Sequence, residues 1–349
     1  MDGLSSRGHD KMKRIVLFMT VAILTLLTAV SAFAASDLSE ERTPLQGLDR
    51  VESVVYGAPR SGGLLLRLSK VEQDLFGMEL PGSLTERQQA LQTFVEDGNE
   101  SQPSLLFKLG VAEWVTLRRT DPALPLADRI ESLESTLEGA TQEGALSARL
   151  ERVLTKLLPG GVQAVSVQIP AATVFKAKFT ETLTVRNVKK GDQLGLELTE
   201  DCIIGGTLAA GKGDRVFAEV TNVKMPRSFG RSSEIQVEFQ NVETIGGMLI
   251  PVVIGPEAKK AMEVDSATVG AVGTSFAATV LLGPVGLPFG FLVRGNDKPI
   301  PEGSLIYVET TEYANVQGYP VPNLLEGMSG VDAASSEDSS DSSDSETTY

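Results

Sequence analysis

The sequence is almost without histidine: the single one among 349 residues is His9, close to the N-terminus. If the chain is cleaved beyond that point, the mature protein has none. That excludes Ser-His-Asp and Cys-His catalysis and every histidine metal site. Cysteine is equally scarce. Cys202 stands alone, so no intramolecular disulfide can form. It also lies far from any N-terminal processing site, which excludes a lipid-modified N-terminal cysteine. Basic residues are in deficit, 31 Lys and Arg against 46 Asp and Glu, for a formal charge of −15. Phosphate binding needs a basic face, so nucleic acid is not an expected partner, and neither is an anionic headgroup surface.

What is present begins with a leader. Lys11, Lys13 and Arg14 precede an apolar run over residues 15–30, followed by Ser31-Ala32-Phe33-Ala34, the small-x-small form of a signal peptidase site. We read residues 1–34 as a signal peptide cleaved after Ala34 and 35–43 as a linker. The alternative is an uncleaved anchor, because residues 15–34 carry no charge. Cleavage would remove Arg7, Lys11, Lys13 and Arg14 against Asp2 and Asp10, deepening the acid excess by two. The expected location is outside the cytoplasm, in the periplasm or cell envelope, with association to an outer membrane in view.

Residues 44–160 contain a repeat. Its anchors are Leu64-x-x-Arg67, Leu84-x-x-Arg87, Leu105-x-x-Lys108, Leu126-x-x-Arg129 and Leu146-x-x-Arg149, at steps of 20, 21, 21 and 20 residues. Apolar positions fall at 0, 4, 7 and 11 within copies, as in Leu126, Ile130, Leu133 and Leu137, which is one face of a short helix. Copies two and three are weaker, with Gln88 at an apolar position. Glycines and prolines between copies, among them Gly77, Gly98, Pro125 and Gly139, end each helix. A degenerate earlier copy runs over residues 48–56. One such helix cannot bury its stripe alone, so the copies should stack as an up-down bundle or a short solenoid. The charges Glu72, Asp74, Glu131, Glu134, Arg149, Glu151 and Arg152 read as solvated helix surface, and Phe107 and Trp114 as core.

From Val162 the period changes to two. Val165, Val167 and Ile169, then Leu194, Leu196 and Leu198, then Val216, Ala218 and Val220, then Ile235, Val237 and Phe239, with Leu249, Val252, Ile306 and Val308 further on, read as strands. Short strands at this spacing predict a barrel or sandwich over residues 161–320. Residues 266–293 interrupt it with 28 positions free of charge. A helix over 267–283, stopped by Pro284 and Pro288, would be about 25 Å long at 1.5 Å per residue, marginal against a bilayer core of about 30 Å. Gly270, Thr274 and Ala278 recur at small-xxx-small spacing. With Gly273, Gly283, Pro284 and Pro288 they are the expected membrane or oligomer contacts of a hairpin whose second arm is 285–293. The other reading is a buried helix and loop that complete the core.

The phrases Ile169-Pro-Ala-Ala-Thr173, Val188-Lys-Lys-Gly-Asp192, Glu200-Asp-Cys-Ile-Ile-Gly-Gly-Thr-Leu-Ala-Ala-Gly-Lys-Gly-Asp214 and Pro301-Glu-Gly-Ser304 resemble, in that order over residues 162–320, the TrbI-type β-barrel domain of conjugation and type IV secretion channels. The chain departs from that pattern at Lys212, where a Ser or Thr is usual, and lacks the family's proline-rich linker. The resemblance implies a barrel with a helical insert at 266–293. The helical phrase ending Leu75-Phe76-Gly77 resembles repeats of exported bacterial proteins of unassigned function.

Gly206-Thr-Leu-Ala-Ala-Gly-Lys212 has the spacing of a phosphate-binding loop, but Gly213 replaces the magnesium-binding hydroxyl and the following residues alternate as a strand. We read it as a turn. Glu200 and Asp201 cannot share a substrate as strand neighbours, since they point to opposite faces. No cofactor or metal and no catalytic residue is expected. Residues 331–349, serine-rich and acidic, should be a disordered tail. The expected function is an exported, non-enzymatic envelope scaffold or assembly component whose partners are envelope proteins or copies of itself, with a membrane as a further one. The alternative is a soluble periplasmic or cell-wall binding module using the helical repeat.

Overall fold

The computed structural model describes residues 43–98, 102–225, 233–269, 280–281, 291–295 and 299–322. The leader, the acidic tail and the candidate contacts Gly270, Gly273, Thr274, Ala278, Gly283, Pro284 and Pro288 lie outside the described residues. The chain divides into two units, Met1–Gln46, of which residues 43–46 are described, and Gly47–Tyr349.

Each repeat copy is a helix that starts at its anchoring leucine. α1 is Pro44–Tyr56, α2 Leu64–Phe76, α3 Leu84–Gln92 running on into a π-helical turn Thr93–Asp97, α4 Leu105–Leu117, α5 Leu126–Glu138 and α6 Leu146–Leu157. Local chemistry sets the ends. Ser83 and Glu86 form a reciprocal capping box at the start of α3. Gly77 and Gly139 close α2 and α5 in the left-handed conformation at φ 74° and 76°. Leu68, Val71, Leu75, Leu126, Ile130, Leu133 and Leu150 are fully buried in one core. The last helix, α6, packs on α2, α4 and α5, and Ser147 Oγ donates to the Leu75 carbonyl at 2.6 Å. A solenoid repeat touches only its neighbours. These helices therefore form a closed bundle.

The charges read as solvated surface need correction at Glu72, Glu134 and Arg149, which are 0%, 1% and 7% exposed. A glutamate near the end of one helix clasps the arginine at the start of the next. Glu52 takes Arg67, Glu72 takes Arg87, Glu113 takes Arg129 and Glu134 takes Arg149, each through Nε and Nη2 at 2.5–3.2 Å. The same carboxylates accept the backbone N–H eight residues on, from Arg60, Leu80, Asp121 and Gln142. A buried charge survives only when paired and hydrogen-bonded, and each glutamate meets both conditions.

The expected strands form, together with others between and after them. In order they are β1 Val165–Ile169, β2 Val174–Phe179, β3 Gln193–Leu198, β4 Cys202–Ile204, β5 Thr207–Ala210, β6 Arg215–Lys224, β7 Ser233–Glu243, β8 Leu249–Val253, β9 Val280–Leu281, β10 Phe291–Gly295, β11 Leu305–Thr310 and β12 Ala314–Pro320. Six of them, in the order β6-β3-β2-β11-β8-β7, close into a barrel through the long antiparallel pairing of β7 with β6. Alternate residues such as Phe175, Ala177, Leu194, Leu196, Val216, Ala218, Ile306 and Val308 fill its interior. β1, β12, β5 and β4 make a second sheet.

The described parts of the apolar stretch differ from the expected helix over 267–283 at its end. A helix, α7, runs earlier, over Pro256–Val269, and the later described pieces are strands β9 and β10. β7 has eleven residues, of which β8 pairs only the last three on that edge. β10 takes the first five, from Phe291 against Val237 to Gly295 against Ser233. An open edge is a pairing site, and this one is filled from within the chain. Glu309 on β11 accepts the Ala258 N–H at 2.6 Å, satisfying a donor at the start of α7. Among the described residues no helix is long and apolar enough to cross a membrane.

Candidate functional site

Helix α4 is apolar almost all round, which marks a helix buried on every side. Ten consecutive residues, from Leu105 to Trp114, are buried. Leu105, Leu109 and Ala112 belong to the bundle core. Phe107, Val111 and Trp114 form a further core with Leu208, Ile245, Tyr319 and Val321 of the β region. Phe107 and Trp114 are thus core residues as expected, but of the junction between bundle and barrel. The repeat is weak in this copy because its second face is also in use.

Close backbone approach makes the junction. A Cβ on Gly110 would meet the Ile245 carbonyl oxygen at 2.6 Å, and one on Gly213 would meet the Thr120 carbonyl oxygen at 2.0 Å. Thr120, on the loop after α4, donates its N–H to the Lys212 carbonyl at 2.8 Å. Its hydroxyl bonds to Asp214, and Asp214 also accepts the Gly211 N–H at 2.7 Å. Asp201 accepts both Trp114 Nε1–H at 2.8 Å and Lys212 N–H at 2.7 Å. The stretch that has phosphate-loop spacing is strand β5 over Thr207–Ala210, with the turn expected there confined to the residues that follow, and Gly211 and Lys212 commit their amide donors to carboxylates of the same chain.

The electrostatics of this place are unusual. Glu113, Asp214 and Glu243 are 2%, 2% and 4% exposed. Arg129 is held by Glu113, and Arg215 pairs with Glu243 at 2.6 and 3.0 Å. Burial pushes the Asp214 carboxyl up to about 8, despite the hydrogen bonds from Thr120 and Gly211 that work the other way. Cys202, half-buried on β4, has its thiol pushed up to about 12, by burial first and Asp201 second. A thiol this weakly acidic is a poor nucleophile at neutral pH. Among the described residues no group of three or more His, Cys, Asp or Glu could hold a metal ion.

A second place stands out where the clasp is missing. The position of the glutamate is Gln92, the following anchor carries Lys108, and α3 unwinds there into its π turn. Lys108 instead reaches Glu151 at 2.6 Å. Two clefts meet at Gln102 and Pro103 beside it. One, of about 470 Å³, includes Glu86, Gln89, Thr93 and Phe94. The other, of about 280 Å³, includes Lys108, Glu151 and Leu158.

No protein-family model matches the chain, and no curated protein matches it. Among solved structures the chain is similar to ComB10 of the Com type IV secretion system of Helicobacter pylori, at 12% identity and a TM-score of 0.22, over 44% of this chain and 92% of that one. Overlap at that level fixes neither fold nor function, and the barrel rests on its own strand pairings.

Proposed function

We propose that this protein is an exported, non-enzymatic component of the cell envelope, in which a barrel carries a helical bundle as one stiff body. The apolar stretch 266–293 attaches it to a membrane or to copies of itself. The observation that carries this reading is the junction, where the carboxylates of Asp201 and Asp214 tie Trp114 and Thr120 of the helical part to the 211–213 turn of the barrel, as structural parts. The leader and the charge-free stretch support the envelope location. Carbonate-washed membrane fractions test it. The expected result is retention in the pellet or recovery as an oligomer, weakened by Gly273→Glu, which places a charge in an apolar run. Complete recovery as a soluble monomer contradicts it.

A second reading, a soluble module that binds envelope material on the helical face, is favoured by the clefts at Gln102 and Pro103. Binding of purified protein to peptidoglycan sacculi, reduced by Phe94→Ala, would support it. Unchanged binding would remove the cleft from the account.

A further inference from the structure

Three buried carboxylates and two guanidinium groups meet where the bundle rests on the barrel. Glu113 on α4 is occupied by Arg129 on α5, and Glu243 on β7 by Arg215 on β6. Asp214, at the turn before β6, makes no ion pair with any described residue. Its two partners are neutral donors, the Thr120 hydroxyl and the Gly211 N–H. Thr120 from the loop after α4, Glu243 from β7 and Arg129 from α5 act on it; beyond them, Glu113 from α4 holds Arg129, Arg215 on β6 holds Glu243, and Asp201 accepts the Lys212 N–H. Arg118 is stacked over Trp114 with its guanidinium carbon 4.6 Å from the ring centroid. Arg119 pairs with Asp121 on the same loop. Of the three buried carboxylates, Asp214 is thus the one without an ion pair among the described residues, and it bridges the two halves of the molecule.

We propose that the Asp214–Thr120 contact is a pH-operated latch, which holds the 211–213 turn of the barrel on the α4–α5 loop while the Asp214 carboxyl keeps its proton and loosens when the proton leaves. With the proton on, Asp214 donates to Thr120 Oγ1, and the hydroxyl can pass its own hydrogen to the Lys212 carbonyl, 3.3 Å away. Both halves of the contact are then neutral and satisfied. With the proton off, the hydroxyl must turn to the carboxylate and leaves the Lys212 carbonyl with the Thr120 N–H alone. The charge now faces Glu243 in a water-poor site, offset only in part by Arg129, which Glu113 already holds. The favourable response is to let solvent in, which means separating the turn from the loop. Thr120 is 1% exposed in the closed state, so solvent cannot reach the carboxylate without that movement.

The chain carries its own reporter, because its single tryptophan is Trp114, fully buried in this junction and bonded to the Asp201 that also holds Lys212. Intrinsic fluorescence and acrylamide quenching of the full chain should be followed from about pH 6 to about pH 9.5. The latch predicts a red shift and a rise in quenching with a midpoint no higher than about pH 8, abolished in Asp214→Asn. The Tyr319 hydroxyl, whose ring lies 6.3 Å from Trp114, is raised above its ordinary value of 10 and the Cys202 thiol lies at about 12, so both titrate above this window. Thr120→Val supplies an independent check. Losing the hydroxyl that accepts the acid's hydrogen weakens the closed, protonated state and moves the midpoint to lower pH. A flat wild-type profile, the same transition in Asp214→Asn, or a Thr120→Val midpoint unmoved or raised overturns the proposal.

Discussion

Glu134 receives Nε and Nη2 of Arg149 at 3.1 and 2.6 Å and, on the same oxygen as Nη2, the backbone N–H of Gln142 at 2.9 Å. One side chain therefore fixes the start of the next helix and the loop that leads to it. The relation recurs at Glu52, Glu72 and Glu113 and lapses where Gln92 and Lys108 replace both members together. Repeat spacing is conveyed through the bundle by these pairs as much as by its leucines.

Removing one member should therefore cost far more than a surface pair. Glu134→Ala strands Arg149 in a buried site and leaves the Gln142 N–H without its acceptor, at a cost of roughly 3–5 kcal/mol. The double change Glu134→Leu with Arg149→Met should recover a large part of that. Urea unfolding of the three variants measures both.

Two glycines with similar backbone angles should respond differently. Gly139 (φ 76°) has nothing within 4 Å of an added Cβ, so Gly139→Ala should cost only the left-handed strain of about 1–2 kcal/mol. At Gly213 (φ 98°) the Cβ would stand 2.0 Å from the Thr120 carbonyl oxygen. Gly213→Ala should lower the melting temperature further and shift Trp114 emission to the red. Equal effects would show that the turn and the loop are not in contact.

Stability should depend on pH in two opposite senses. The folded Asp214 carboxyl is raised from 3.8 to about 8, so the folded state binds the extra proton and this contribution, complete below about pH 4, falls away as pH rises toward 8. Burial works to raise the Glu134 carboxyl, yet Arg149 and the Gln142 N–H hold it below 4.5, so its contribution is present above that value and is lost as pH falls. Unfolding free energies across pH 3 to 9 should show the alkaline decline flattened in Asp214→Asn and the acid decline unchanged.

The helix starts at Leu64, Leu84, Leu105, Leu126 and Leu146 were legible because a 20-residue period with glycine and proline breaks leaves little choice. The strands with alternating Val, Ile and Leu were legible for the same kind of reason. Burial of Glu72 and Glu134 was not, since a helix taken singly presents them on its polar side. The available signal was the joint loss of glutamate and arginine at Gln92 and Lys108. Residues 291–293 could not be assigned from pattern because a wholly apolar run has no period to separate helix from strand. What decides it is the unpaired edge of β7, a fact of the barrel. Phe107 and Trp114 read as core, but with which partner depends on the β region and is invisible in the helix itself.

The bundle should not stand well alone. A fragment of residues 36–159 would expose Phe107, Val111 and Trp114, each worth roughly 1.5–3 kcal/mol when fully buried. Compared with the full chain it should show red-shifted tryptophan emission, lower thermal stability and a tendency to associate. A fragment as stable as the parent would mean that the junction contributes nothing.

The most direct test of the account is calorimetry of the full chain at neutral pH, because the central claim is that α4 joins bundle and barrel into one cooperative body. The prediction is a single heat-absorption peak whose calorimetric and van't Hoff enthalpies agree, with Trp114 fluorescence changing at the same temperature. Two separate peaks, with Trp114 exposed in the first while the barrel stays folded, would contradict it.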